Sequence, residues 1–349
     1  MKVALKDIDI KLREVIESIE TDTLYTRSAS SNFIVLVSES SDSKSINRLL
    51  DAISPVHPCR FIAIRPDKKV SDISAEVSAS CHKLSRNQHV CSERIILNVP
   101  PVGFDALPSV VNAHLLPGVS SELLLFGEDL PDQLINSLSD IADIIYCDSV
   151  ELQGGVRDAL RLLGKVKHIV DLRWIELSYW RQQIKEIFSH KAAASFIPLI
   201  KAIHIVTENR EGKPPSTPGL LMAGWLSDRL KMSPVAISSS GFECDGPTAG
   251  TVIITFEYRK SKFRTRLKNL EIIFDGGNAH VLLERDSSGL HSEVKLLGNE
   301  YNFSSPLEEG TPLKMLEKYF VIGESVKNYP AALKLACEMA ELDENYRGV

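Results

Sequence analysis

The sequence lacks the signatures by which enzymes most often announce themselves. It contains no Gly-x-Ser-x-Gly elbow, no His-Glu-x-x-His pair, no Cys-x-x-Cys and no glycine-rich loop ending in Gly-Lys-Ser/Thr. No catalytic residue and no cofactor is therefore expected. Positive charge is not in excess either: 40 Lys and Arg against 46 Asp and Glu leave a formal charge of −6, and a nucleic-acid partner is not expected without a local patch. No apolar run approaches the ~20 residues of a membrane-spanning helix. The opening stretch MKVALKDIDIKLREVI carries charges throughout, unlike a signal peptide, so no membrane partner and a cytoplasmic location are expected. The six cysteines (Cys59, Cys81, Cys91, Cys147, Cys244 and Cys337) are scattered, a pattern that predicts reduced thiols and not a disulfide scaffold.

What is present fits two α/β bodies. A chain of 349 residues exceeds the size at which one core usually stops growing. Short β-rich runs at 32–39 and 59–67 are followed by two alternating runs, 73–84 and 89–100, around a polar turn. Helical and strand patterns then alternate through 104–172, as crossover units of a largely parallel sheet do. Residues 1–170 are therefore expected to form a Rossmann-like α/β domain. Beyond it, helices at 179–193 and 218–231 and a β-like run at 196–207 precede alternating segments between 234 and 297. Turn signals such as DGGN and DSSG join these segments as antiparallel hairpins, and helices at 311–322 and 329–342 close the chain. Residues 171–349 are expected to form an α+β domain, with the polar loop TENREGKPPSTP as the internal linker candidate.

Several groupings invite chemistry. Gly154-Gly155 and Gly276-Gly277 could approach a phosphate, but ordinary turns explain them better. Cys81, His82, His89 and Cys91 flank a hairpin turn whose centre near Arg86 would set Cys81 opposite Cys91; the spacing matches no familiar zinc knuckle, and no metal is expected. His57 and Cys59 suggest a base and a nucleophile, although Pro58 favours a turn entering a strand, with Arg60 the more interesting neighbour. The densest basic stretch is KSKFRTRLK. There Lys260, Lys262, Arg264, Arg266 and Lys268 recur with period two and would line one face of an extended strand, either as a solvated edge or as a surface for an anionic partner. A turn at 260–262 would split the row.

Two tryptophan stretches remain. In DLRWIELSYWRQQIKEIF (171–188), Leu177, Trp180, Ile184, Ile187 and Phe188 form an apolar stripe that includes Arg181, and Ser178 is placed to cap the helix. In GLLMAGWLSDRLKM (219–232), Ala223, Gly224 and Ser227 form a small-residue strip that lets a neighbouring element approach closely. Burial accounts for both stretches, with Arg181, Asp228 and Arg229 expected in a buried structural ion network.

These residues resemble the OpcA family, the glucose-6-phosphate dehydrogenase assembly proteins of bacteria. The resemblance rests on Asp171-Leu172, Trp174, Trp180-Arg181, and Ala223-Gly224-Trp225-Leu226 with Arg229-Leu230. NFIVLVSE, HPCRFIAI, CSERIILNV and ADIIYCDS stand in the family's order before them. Tyr179 replaces a frequent proline and Lys231-Met232 a frequent Gly-Trp. The resemblance implies a non-catalytic partner that assists assembly of the dehydrogenase or activates it. A sugar-phosphate or nucleotide-binding enzyme or sensor, using the C-terminal strand edge of the first domain, is the alternative.

Overall fold

The computed structural model describes residues 1–18, 24–27, 30–85, 88–214, 216–239, 241–246, 250–307, 310–323 and 326–347. In chain order the first elements are β1 (Lys2–Val3), α1 (Ile8–Glu17), β2 (Leu24–Arg27), β3 (Ser31–Val37), α2 (Ser43–Ile53), β4 (Arg60–Pro66), β5 (Ser74–Ser85), β6 (Gln88–Val99), α3 (Leu107–Ala113), β7 (Ser120–Phe126), α4 (Asp132–Ser139), β8 (Ile144–Cys147), α5 (Val156–Leu163), β9 (His168–Asp171) and α6 (Leu172–Glu176). They are followed by α7 (Ser178–Ser189), α8 (Lys191–Ala194), β10 (Ile200–Asn209), α9 (Thr217–Leu230), β11 (Ser233–Ser238), β12 (Gly241–Asp245), β13 (Thr251–Lys260), β14 (Thr265–Phe274), β15 (Ala279–Arg285), β16 (Leu290–Leu296), β17 (Asn299–Ser305), α10 (Pro312–Ile322) and α11 (Tyr329–Arg347). The chain divides into two compact units: Met1–Gln153, Arg161–Leu172 and Thr311–Glu324 form the first, and Gly154–Leu160, Arg173–Gly310 and Ser325–Val349 the second. Helix α10 thus belongs to the first unit although it follows nearly all of the second in sequence.

In the first unit the strands run β6-β4-β3-β7-β8-β9, all parallel, with β5 and β1 added antiparallel beyond β6. This is the doubly wound order, in which the chain winds outward from β3 on one side, then returns to begin the other side at β7. Every residue of β3 is buried, as a central parallel strand covered on both faces requires. Helix α2 turns Ile46, Leu49, Leu50 and Ile53 to the core, and Asp42 caps it by accepting from Ser45 N–H at 2.7 Å. The β5–β6 register places Cys81 opposite Cys91 with Cα atoms 4.0 Å apart, and a disulfide joins them. That corrects the expectation of six reduced thiols: cross-strand register, not density in sequence, brings two cysteines into bonding reach. Cys59, Cys147, Cys244 and Cys337 are free and buried.

The second unit is built on a mostly antiparallel sheet, β11-β12-β13-β10-β14-β15-β16-β17, whose one parallel pair is β10 with β13. Residues 218–227 of α9 are all buried. The small-residue strip has the use expected of it, because a Cβ on Gly224 would stand 2.1 Å from the Ala332 carbonyl oxygen of α11. The chain passes from α6 into α7 without leaving helical conformation at Leu177, so Ser178 lies inside the helix and does not cap it, contrary to expectation.

Candidate partner-binding site

Strand β10 lies between β13 and β14, so the chain leaving Lys260 crosses the end of β10 before β14 starts at Thr265. The Ser261 N–H donates to the Asn209 carbonyl at 2.9 Å. The Asn209 side-chain oxygen accepts from the N–H groups of Glu211, Gly212 and Lys213, folding that loop back on itself. Gly212 has φ +66°, and a Cβ there would meet the Lys260 backbone nitrogen at 3.0 Å. Only glycine fits this closeness, and it brings the loop carrying the exposed Arg210 and Lys213 against Lys260.

The basic row of the sequence is consequently not one strand face. Lys260 ends β13, Lys262 and Arg264 lie in the connection, and Arg266 and Lys268 belong to β14. A register shift between Val206 and Thr207 also leaves Lys268 without a residue opposite it on β10. Arg266 and Lys268 are engaged within the sheet. The Arg266 guanidinium carbon lies 3.3 Å from the Phe263 ring centroid, and its Nε donates to Glu208 at 2.8 Å. The Lys268 ammonium donates to the Arg285 carbonyl and lies 3.3 Å from Glu284. Lys260 and Lys262 are exposed, the latter with its ammonium 5.3 Å from the Phe263 centroid. The exposed Arg259 donates to Glu257 at 2.6 Å, which holds that carboxyl below its usual range.

Sequence reasoning therefore missed Arg210, Lys213 and Arg259 as members of this basic end. The loop was legible only as polar, and the parallel β10–β13 pairing that sets it against Lys260 has no local signal.

The residues of the tryptophan stretches are mostly interior. Trp174, Trp180 and Trp225 are buried, as is Arg181, whose guanidinium carbon lies over the Trp174 ring. Asp171 is also buried and accepts from Ser149 N–H at 3.1 Å. Arg229 departs from the expected buried ion network: its side chain is 43% exposed and pairs with neighbouring Asp228 at the end of α9.

The C-terminal strand edge of the first unit, where a doubly wound sheet binds a dinucleotide, is lined by the wrong residue types for phosphate. The turn after β3 reads Ser38-Glu39-Ser40-Ser41-Asp42 instead of a glycine-rich loop. Asp42 already occupies the N-terminus of α2, where a pyrophosphate would sit. After β7 the Gly127 N–H donates to the Glu151 carboxylate at 2.9 Å, and after β8 Asp148 accepts from Val150 N–H at 3.0 Å. Nor do His57 and Cys59 form a base and nucleophile, because burial above all pushes the Cys59 thiol well up, with Glu122 adding to it. His57 instead places Nε2 3.0 Å from Ser31 Oγ and 3.2 Å from Glu122. Buried Arg60 is the centre of a polar cluster that reaches the surface at Asp9, donating to Glu93 at 2.6 Å, Asp9 at 3.0 Å and the His114 carbonyl at 2.8 Å.

Among the described residues no group of three or more His, Cys, Asp or Glu is arranged to hold a metal ion, and no helix is long and apolar enough to cross a membrane. Of the hairpin set considered for metal, Cys81 and Cys91 are joined to each other, and the side chains of His82 and His89 lie outside the described residues.

Two family models match side by side. The glucose-6-phosphate dehydrogenase subunit N-terminal domain of OpcA covers residues 50–164, and the corresponding C-terminal domain covers 167–294. The chain belongs to the OpcA family. A comparison with curated protein sequences finds no significant match. Among solved structures, an oxidoreductase from Sinorhizobium meliloti is similar at 6% identity over 91% of this chain and 99% of that one, with a TM-score of 0.51. A Gfo/Idh/MocA family oxidoreductase from Vibrio cholerae is similar at 10% identity over 90% and 99% of the two chains, with a TM-score of 0.40. The first shows a shared fold and nothing of shared chemistry. OpcA membership is carried by the family models alone.

Proposed function

We propose that this chain is a non-catalytic assembly factor or allosteric activator of glucose-6-phosphate dehydrogenase, acting in the cytoplasm at the entry of the oxidative pentose phosphate pathway. The observation that carries this reading is the consecutive match of both OpcA subunit domains over residues 50–164 and 167–294. The strand edge of the first unit supports it. A fold that elsewhere holds dinucleotides here carries Glu39 and Asp42 in the phosphate-binding turn, which disfavours the alternative of a nucleotide-binding enzyme. In this reading the basic end around Lys260 and Lys262 meets an acidic face of the dehydrogenase, because an acidic protein needs a local patch of opposite sign to dock on an anionic surface. The test mixes the purified chain with the dehydrogenase of the same organism. Light scattering after gel filtration reads co-migration, and steady-state assays read the dehydrogenase rate. Co-migration with a raised rate or a larger dehydrogenase assembly is expected, and no turnover of glucose 6-phosphate by the chain alone. Separate elution with an unchanged rate would end the proposal.

A further inference from the structure

The two edges of the second unit's sheet are treated differently by the sequence. At one edge β11 carries Pro234 and a register irregularity between Pro234 and Ala236, both of which discourage further strand pairing. At the other edge β17 pairs with β16 without interruption from Asn299 to Ser305, and it contains neither proline nor lysine. All of its residues but Ser305 are exposed. Tyr301 stands opposite Val294 and Phe303 opposite Ser292, and both of those partners are buried. The two aromatic rings therefore extend the core face of the sheet one strand too far, leaving Tyr301 49% and Phe303 46% exposed.

The seven residues read Asn-Glu-Tyr-Asn-Phe-Ser-Ser, and Asn302 is the middle one. Antiparallel pairing of two copies about a two-fold axis through Asn302 sets Tyr301 of each chain opposite Phe303 of the other. Two aromatic cross-strand pairs form on the core face, where such pairs stabilise a sheet. On the opposite face Glu300 meets Ser304, so no like charges oppose each other, and the Asn302 amides meet across the axis. An isologous interface demands this kind of self-complementarity. We infer that the β17 edge is a homodimerisation surface that joins two copies of this chain through a continuous sheet. This inference is independent of the dehydrogenase assignment and is tested on the chain alone.

Cysteine substitution reads the register directly. In the proposed dimer the two Asn302 Cα atoms lie roughly 4.5–5.5 Å apart, within disulfide range, whereas the two Glu300 Cα atoms are about 13 Å apart along the strands. Asn302→Cys is expected to give a dithiothreitol-sensitive dimer on a non-reducing gel after mild oxidation, and Glu300→Cys a monomer. Cross-linking by both variants or by neither would overturn the inference. Sedimentation of the unoxidised chain should show a monomer–dimer equilibrium that Phe303→Lys weakens roughly tenfold or more. A chain that stays monomeric at all concentrations, or whose dimer Phe303→Lys leaves unchanged, would overturn it as well. Circular dichroism checks that each variant is folded.

Discussion

The Arg181 guanidinium carbon lies 3.6 Å from the centroid of the Trp174 ring, while Nη1 of the same side chain donates to the Trp174 carbonyl oxygen at 2.7 Å. One buried cation thus ties α7 to α6 by stacking and by a charge-assisted hydrogen bond at once. Arg181→Ala should lower unfolding stability by roughly 2–4 kcal/mol, since it removes a desolvated cation–π contact and a charge-assisted hydrogen bond. Arg181→Lys, which keeps the charge but not the plane, should fall between. Urea titration of the three proteins checks the order; coincident midpoints would refute it.

Helices α9 and α11 touch backbone to backbone at Gly224. A methyl group there would stand 2.1 Å from the Ala332 carbonyl oxygen and 2.9 Å from the Ala336 nitrogen, so Gly224→Ala must push the helices apart. A loss of at least about 1–3 kcal/mol is expected, with far-UV circular dichroism near wild type. An unchanged melting temperature would show that the helix pair yields more easily than its packing suggests.

The Cys81–Cys91 disulfide closes a short hairpin loop, with the two cysteines ten residues apart in sequence. Reduction should cost roughly 2–3 kcal/mol through the freedom it returns to the unfolded chain, while any activation of a partner stays unchanged. Thermal scans with and without dithiothreitol, repeated on Cys81→Ser, measure the first part. Loss of activation on reduction at a temperature where the protein stays folded would contradict the second.

Acid should weaken the first unit through Glu122. Burial alone would raise this carboxyl, but hydrogen bonding and charge from His57, with hydrogen bonds from Tyr146 and Ser31, outweigh it and leave the group below its ordinary 4.5. A carboxyl depressed in the folded state contributes stability above the unfolded value and loses it as pH falls through the folded one. Unfolding free energy should therefore decline from about pH 4.5 downward. Glu122→Gln should flatten that part of the profile; an identical slope in the variant would locate the acid sensitivity elsewhere.

Reversing Lys260 and Lys262 together to Glu should slow association with the dehydrogenase most at low ionic strength, since exposed charges act on encounter over a screening length of about 8 Å in physiological salt. Arg266 is a poor choice for the same test, because its bond to Glu208 would be broken along with the patch. Stopped-flow association across a salt series decides: equal rates and equal salt slopes would move the interface away from this end of the sheet.

Local apolar patterning made most of the elements readable: α2 shows a helical stripe, whereas β3 and much of α9 are nearly continuous apolar runs buried on every side. Strand β17 escaped because it has no buried face to produce alternation. Of the two readings of the basic row, one strand face or a row split by a turn after Lys260, the structure shows the second. The row's period of two is real, but the crossing over Asn209 and the displaced Lys268 are decided by pairing with β10, some sixty residues upstream. The Cys81–Cys91 opposition could be read by counting outward from the turn, whereas the bond between them could not. The buried tryptophans were legible as a stripe; the exposure of Arg229 depends on where α9 ends.

Helix α10 gives the chain an order of events. Its Phe320 stacks on His57 with ring centroids 4.2 Å apart, and its Tyr319 meets Tyr146 edge-on at 5.7 Å, so the first unit is covered by residues made after most of the second unit has been translated. When residue 172 has been added, that unit still waits for more than a hundred further residues, roughly 7–28 s at ordinary synthesis rates. For that interval Phe33, His57 and Tyr146 must stay uncovered. The nascent polypeptide can hold a nearly finished sheet, but it closes the aromatic cluster only after the intervening residues 173–310 have been translated, which ties maturation of the first unit to synthesis of most of the second.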